Sequence, residues 1–123
     1  MSANLLVWRF HSAISELLDS GFAGGSGKLF RLEQQAWACN TELNGEKRTV
    51  CSGVASLLDR AAQMEDGEAV TAEASALLLS KIGQPLLRCV DFLLDRDSGS
   101  TSISLLADLT NAYEEWLRSS GIR

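Results

Sequence analysis

Apolar side chains recur at steps of three and four residues along almost the whole chain, and they do not alternate as they would in strands. That spacing stacks them on one face of an α-helix. Val7, Phe10, Ile14 and Leu17 form the first stripe, widened by Leu6, Ala13 and Leu18. Leu29, Leu32, Ala36, Cys39 and Leu43 form the second, with Phe30 and Trp37 beside it. Val50, Val54, Leu57, Leu58, Ala61 and Met64 form the third. Val70, Ala74, Leu77, Leu78 and Ile82 form a fourth, over roughly 68–82, and Leu86, Val90, Leu93 and Leu94 continue it beyond Pro85. Leu106, Leu109, Tyr113 and Trp116 form the last, flanked by Ile103, Leu105, Ala112 and Leu117. Such stripes leave water only by packing on one another, so the expected fold is all-α: a compact antiparallel bundle of four to six helices.

Composition agrees. The 20 Leu and 14 Ala far outnumber the 14 β-branched Ile, Val and Thr residues, and there is one proline. Leu and Ala lose little side-chain freedom in a helix, whereas β-branched residues crowd the preceding turn. A length of 123 residues suits one domain spanning 1–123, large enough to bury roughly two thirds of its surface without disulfides.

The breaks between stripes locate the connections. Residues 22–27 read Phe-Ala-Gly-Gly-Ser-Gly, a loop between a first helix over about 4–20 and a second starting near Lys28. Ser2 or Asn4 is the expected cap of the first helix and Gly21 its stop. Asn44-Gly45 is read as the end of the second helix. The third runs from about Lys47 to a turn at Glu65-Asp66-Gly67, with Asp66 a cap for the fourth. Gly53, inside the third helix, costs up to ~1 kcal/mol relative to Ala, so close helix packing is its expected role. Pro85 either opens a fifth helix or kinks one long one. Residues 96–101 form a polar loop, Ser102 is the expected cap of the last helix, and Gly121 ends it.

Familiar catalytic and binding motifs are incomplete. Gly24-Gly25-Ser26-Gly27-Lys28 suggests a phosphate-binding loop, but the position that must be Gly is Phe22 and the one that must carry a hydroxyl is Leu29. A glycine-rich linker is the better reading, with Lys28 and free helix amides leaving only a weak anion site. His11, Cys39, Cys51 and Cys89 together have the composition of a zinc set, but lack the close ligand pairs of structural zinc sites. The odd number of cysteines suits reduced, buried thiols in a cytoplasmic protein. Di-iron bundles need Glu-x-x-His, and the residue three before His11 is Trp8. The reading therefore assigns no catalytic residue, metal or cofactor.

Charge and aromatic placement are more informative. The net charge of −5 arises entirely after residue 50. Glu65, Asp66 and Glu68 concentrate it, which disfavours nucleic acid and suits a basic protein partner. No apolar run is long enough to span a membrane, and Met1 to Phe10 does not read as a secretory signal. Leu5 to Phe10 is apolar almost all round, so the first helix is either central or shared with a second copy in a homodimer. Leu6, Trp8 and Phe10 are the candidate contacts there, with Trp8 as anchor, and Glu65, Asp66 and Glu68 are the acidic ones. The expected function is a small cytoplasmic protein-binding module, acting as regulator, inhibitor or adaptor without catalysis of its own. The alternative is a small helical enzyme or ligand- or metal-sensing bundle that uses His11 and the cysteines.

Overall fold

A computed structural model describes residues 3–19, 28–66, 72–96 and 99–119. They form five α-helices and, among the described residues, no strand: α1 Ala3–Asp19, α2 Lys28–Asn40, α3 Gly45–Asp66, α4 Ala72–Leu93 and α5 Ser102–Ser119. The expected caps at Ser2 and Gly21, the glycine-rich loop, Val70 and Gly121 lie outside the described residues. Asn4 and Asp66 fall inside α1 and α3, but their side chains are not among those described.

The five stripes become one core. Val7, Phe10, Ile14 and Leu17 of α1 meet Leu29, Leu32, Ala36 and Cys39 of α2, joined by Leu43 from the connection that follows. Val50, Val54, Leu57, Leu58 and Ala61 of α3, Leu78, Ile82, Leu86, Val90 and Leu93 of α4, and Leu109, Tyr113 and Trp116 of α5 complete it.

Cross-helix contacts fix the directions. Asn40 meets Ser52 and Glu33 lies beside Asp59, so α2 and α3 run antiparallel, with Ala36 accepting the Cys51 thiol between them. His11 lies by Asp91 and Leu18 by Gly83, so α1 and α4 do too. Cys89 with Leu105, Lys81 with Glu115, and Ala74 with Trp116 make α4 and α5 antiparallel. By contrast, Gly53 touches Leu106 while Arg60 and Met64 meet Tyr113, so α3 and α5 run parallel.

Two glycines sit where helices nearly touch. A Cβ on Gly53 would lie 2.5 Å from Leu106 Cδ2, and one on Gly83 would lie 2.6 Å from Leu18 Cδ2. The glycine in α3 therefore has the packing role that its mid-helix position suggested.

Helix ends differ from the sequence reading in instructive ways. Asn44-Gly45 opens α3 instead of closing α2: α2 stops at Asn40, and Asn44 C=O accepts the Arg48 N–H at 3.4 Å. Gly45 takes φ 63°, a left-handed value that glycine adopts without a Cβ penalty. Thr101, not Ser102, caps α5. Its Oγ1 accepts the Ser104 N–H at 3.1 Å, and Ser104 Oγ accepts the Thr101 N–H at 3.2 Å. This reciprocal pair is a capping box with serine in the place of glutamate. Leu105 takes the buried place in the α5 stripe, and Leu106 is half-buried against Gly53.

Pro85 lies inside α4, which runs unbroken from Ala72 to Leu93. Proline withholds one N–H from the helix ladder; burial of Ile82 and Leu86 on either side holds the helix together.

Helix α4 ends in a Schellman motif: Arg96 N–H bonds Asp91 C=O at 2.8 Å and Asp95 N–H bonds Phe92 C=O at 3.2 Å. The left-handed residue there is Asp95, with φ 60°, where glycine is usual. Its carboxylate pairs with Lys47 at 2.8 Å, linking the end of α4 to the start of α3. Both Asp95→Gly and Asp95→Ala lose that exposed pair, but only alanine keeps the left-handed penalty. Asp95→Gly is therefore expected to exceed Asp95→Ala in urea-unfolding stability by about 1 kcal/mol. Gly53→Ile is expected to cost about 2 kcal/mol through overpacking, and Leu106→Ala in the same chain should recover part of that loss in the same measurement.

Candidate functional site

Two side-chain clusters stand apart from the core. The first joins α1 to the end of α4. His11 Nε2 is 3.8 Å from Asp91 Oδ1, and Arg96 Nη1 approaches the same oxygen at 3.6 Å. That oxygen is enclosed and accepts no hydrogen bond, so the Arg96 guanidinium acts on it through charge alone. The Trp8 ring meets His11 edge-on with centroids 5.5 Å apart, and the Arg96 guanidinium sits 5.2 Å from the Trp8 centroid. Trp8 is 45 % exposed, yet an arginine of its own chain lies over its ring. Leu6 is half-buried against the core. Phe10 is wholly buried, which corrects its reading as a partner contact. Helix α1 packs on both α2 and α4, so its inward stripe is consumed by the core.

The second cluster lies on α2 and α3, and sequence reasoning missed it. Phe30, Glu33 and Trp37 fall at spacings of three and four residues, so they share one stripe of α2. Phe30 is 53 % and Trp37 40 % exposed, while Glu33 between them is only 9 % exposed. Glu33 Oε2 accepts the Trp37 indole N–H at 3.1 Å, whereas Oε1 is enclosed and no donor reaches it. Asp59 of α3 lies beside Glu33, and both its oxygens accept from Gln63 Nε2 at 3.1 Å. Burial pushes the Glu33 carboxyl above its usual range. The Trp37 hydrogen bond pulls it back, and the Asp59 charge, with a hydrogen bond that a protonated Glu33 shares with Asp59, raises it further. The ion pairs among the described residues engage neither carboxylate. The aromatic–carboxylate–aromatic spacing is visible in sequence, but the neighbouring Asp59 becomes apparent only once α2 and α3 pair.

The remaining candidates separate in space. Cys39, Cys51 and Cys89 are buried free thiols. Burial pushes them up to about 11, about 12 and about 12 respectively. Cys51 donates to Ala36 C=O at 3.1 Å and Cys89 to Leu105 C=O at 3.8 Å. At neutral pH all three remain protonated and weakly reactive. No group of three His, Cys, Asp or Glu side chains placed to hold a metal occurs among the described residues. Lys28 and Arg31 line a groove of about 360 Å³ with Glu16 and Gln35 between α1 and α2. Glu65 and Asp66 close α3, but their side chains, and Glu68 entirely, lie outside the described residues. No described helix is long and apolar enough to cross a membrane.

The raised Glu33 carboxyl sets a pH dependence. Between the ordinary glutamate value, about 4.3, and its raised folded value, the folded protein holds more protons than the unfolded chain. Stability from this group therefore falls as pH rises through that window. Glu33→Gln, whose amide can accept from Trp37 and donate to Asp59, is expected to flatten that fall. Urea midpoints across the window check it, with the variant gaining on the parent towards neutral pH.

Comparison of the chain with protein-family models, curated proteins and solved structures returned no match.

Proposed function

We propose that this protein is a small helical module that binds another protein chain and carries out no catalysis of its own. The observation that carries this reading is the exposed Phe30–Trp37 stripe of α2, astride carboxylates that no described cation pairs. Two large aromatics at helical spacing, flanking a desolvated polar group, have the chemistry of an interface anchor. Buried, protonated thiols support the same reading, and they suit a reducing, cytoplasmic setting. Phe10 is core and Trp8 is partly covered by Arg96, which favours α2 over α1 as the main surface in this reading.

A second copy of the chain is one partner this reading admits, through the exposed Leu5 and Trp8 at the start of α1. The alternative of acid–base chemistry draws on the contact between His11 and Asp91. Affinity purification from the native cell tests the main reading. A stoichiometric partner is expected on the parent protein and is expected to be lost on Phe30→Ser/Trp37→Ser. Its retention on that folded variant would overturn the α2 assignment. A parent that elutes as a dimer, with Leu6→Glu and Trp8→Glu eluting as soluble monomers, would instead assign α1 to self-association.

A further inference from the structure

We infer that the Phe30–Glu33–Trp37 stripe, with Asp59 beside it, is a docking site for an arginine side chain of a partner protein. The inference rests on the protein-binding reading and specifies the chemistry of the partner.

Charge complementarity carries it. Two carboxyl groups lie side by side on the α2–α3 face, and no described lysine, arginine or histidine forms an ion pair with either. Asp91, Asp95, Asp108 and Glu115, by contrast, each have a cation within 4.0 Å. One oxygen of Glu33 is enclosed and receives no hydrogen bond, which a buried acceptor seldom tolerates. That oxygen is out of reach of an outside donor, so a cation arriving at this face pairs with the half-buried Asp59 and acts on Glu33 through its charge.

The flanking residues choose arginine over lysine. Phe30 and Trp37 present exposed ring surface on either side of Glu33. A planar guanidinium stacks on such rings while its N–H groups fork to carboxylates, and an ammonium cannot do both. An arginine lying along Trp37 meets Asp59, which is half-buried, while Glu33 adds its charge from behind. The Trp37–Glu33 hydrogen bond already holds the indole and the carboxylate together, so part of the ordering cost is met before binding.

Proton balance follows. A proton held by Glu33 in the free protein leaves to solvent when the guanidinium arrives, because the new cation stabilises the carboxylate. Binding therefore tightens as pH rises from the carboxylate range towards neutrality. Facing Glu33 are Asp59 from α3 and the Trp37 indole from its own helix, with Gln63 held on Asp59.

The probe is a short Gly/Ser peptide carrying spaced arginines, set against its lysine and citrulline counterparts and against calcium chloride. The readout is the indole N–H resonances of Trp8, Trp37 and Trp116. The arginine peptide is expected to shift the Trp37 signal alone, more tightly at pH 7.5 than at pH 5. Glu33→Gln/Asp59→Asn, two near-isosteric changes whose fold is checked by circular dichroism, is expected to weaken it about tenfold or more. The lysine peptide should bind more weakly and the citrulline peptide not at all. No Trp37 shift, an equal response to citrulline, unchanged binding by the double variant, or a Trp37 shift with calcium alone would overturn the inference. A cellular partner lost on Phe30→Ser/Trp37→Ser but retained by Glu33→Gln/Asp59→Asn would overturn the arginine site and leave protein binding standing. Retention by both variants would overturn both.

Discussion

Helix α3 carries small residues on the faces where α2, α4 and α5 meet it, and the close approach they permit organises the bundle. Cys51, Ala55, Ala61 and Ala62 are buried on it, and Gly53 sits against Leu106. A helix met on three sides cannot present large side chains to every neighbour without pushing them apart. Leu106 of α5 fills the space beside Gly53, and large buried residues such as Trp116, Leu105 and Leu29 lie on the surrounding helices. The arrangement follows from sequence because α3 is apolar over much more than one narrow stripe.

The inward faces were legible because burial follows helical periodicity. Leu29, Leu32, Ala36, Cys39 and Leu43 read as a stripe and all are buried. Junctions were less legible, because one residue type serves several local geometries. Asn-Gly can end a helix or begin one, and which occurs depends on where Leu43 finds cover. Pro85 signals a break, yet packing on both sides of it carries α4 through. Leu105 and Leu106 both suit a helical face; the bundle buries Leu105 and leaves Leu106 half-buried against Gly53.

The polar cluster was hidden for a different reason. Glu33 looks like an ordinary surface carboxylate beside a stripe, since lone glutamates in amphipathic helices usually face water. Its burial arises from the pairing of α2 with α3, which brings Asp59 alongside from 26 residues further along the chain. Trp8 shows the converse. It stood out as an exposed anchor on an apolar segment, and it is exposed, but Arg96 lies over its ring and His11 meets its edge. The two clusters differ in what they still need. Asp91 has the Arg96 guanidinium and the His11 ring beside it, whereas Glu33 has a single indole hydrogen bond and a neighbouring carboxylate.

The buried thiols have a consequence of another kind. Cys39, Cys51 and Cys89 lie on α2, α3 and α4, so each is walled in by a different set of neighbours. A reagent reaches such a sulfur only when its wall opens, which turns each cysteine into a clock for local breathing. Cys51, bonded to Ala36 across the α2–α3 seam, times the opening of the seam beside Glu33 and Asp59. Cys89, facing Leu105, times the separate parting of α4 from α5. The chain thus carries built-in reporters that distinguish loosening of one helix pair from unfolding of the whole.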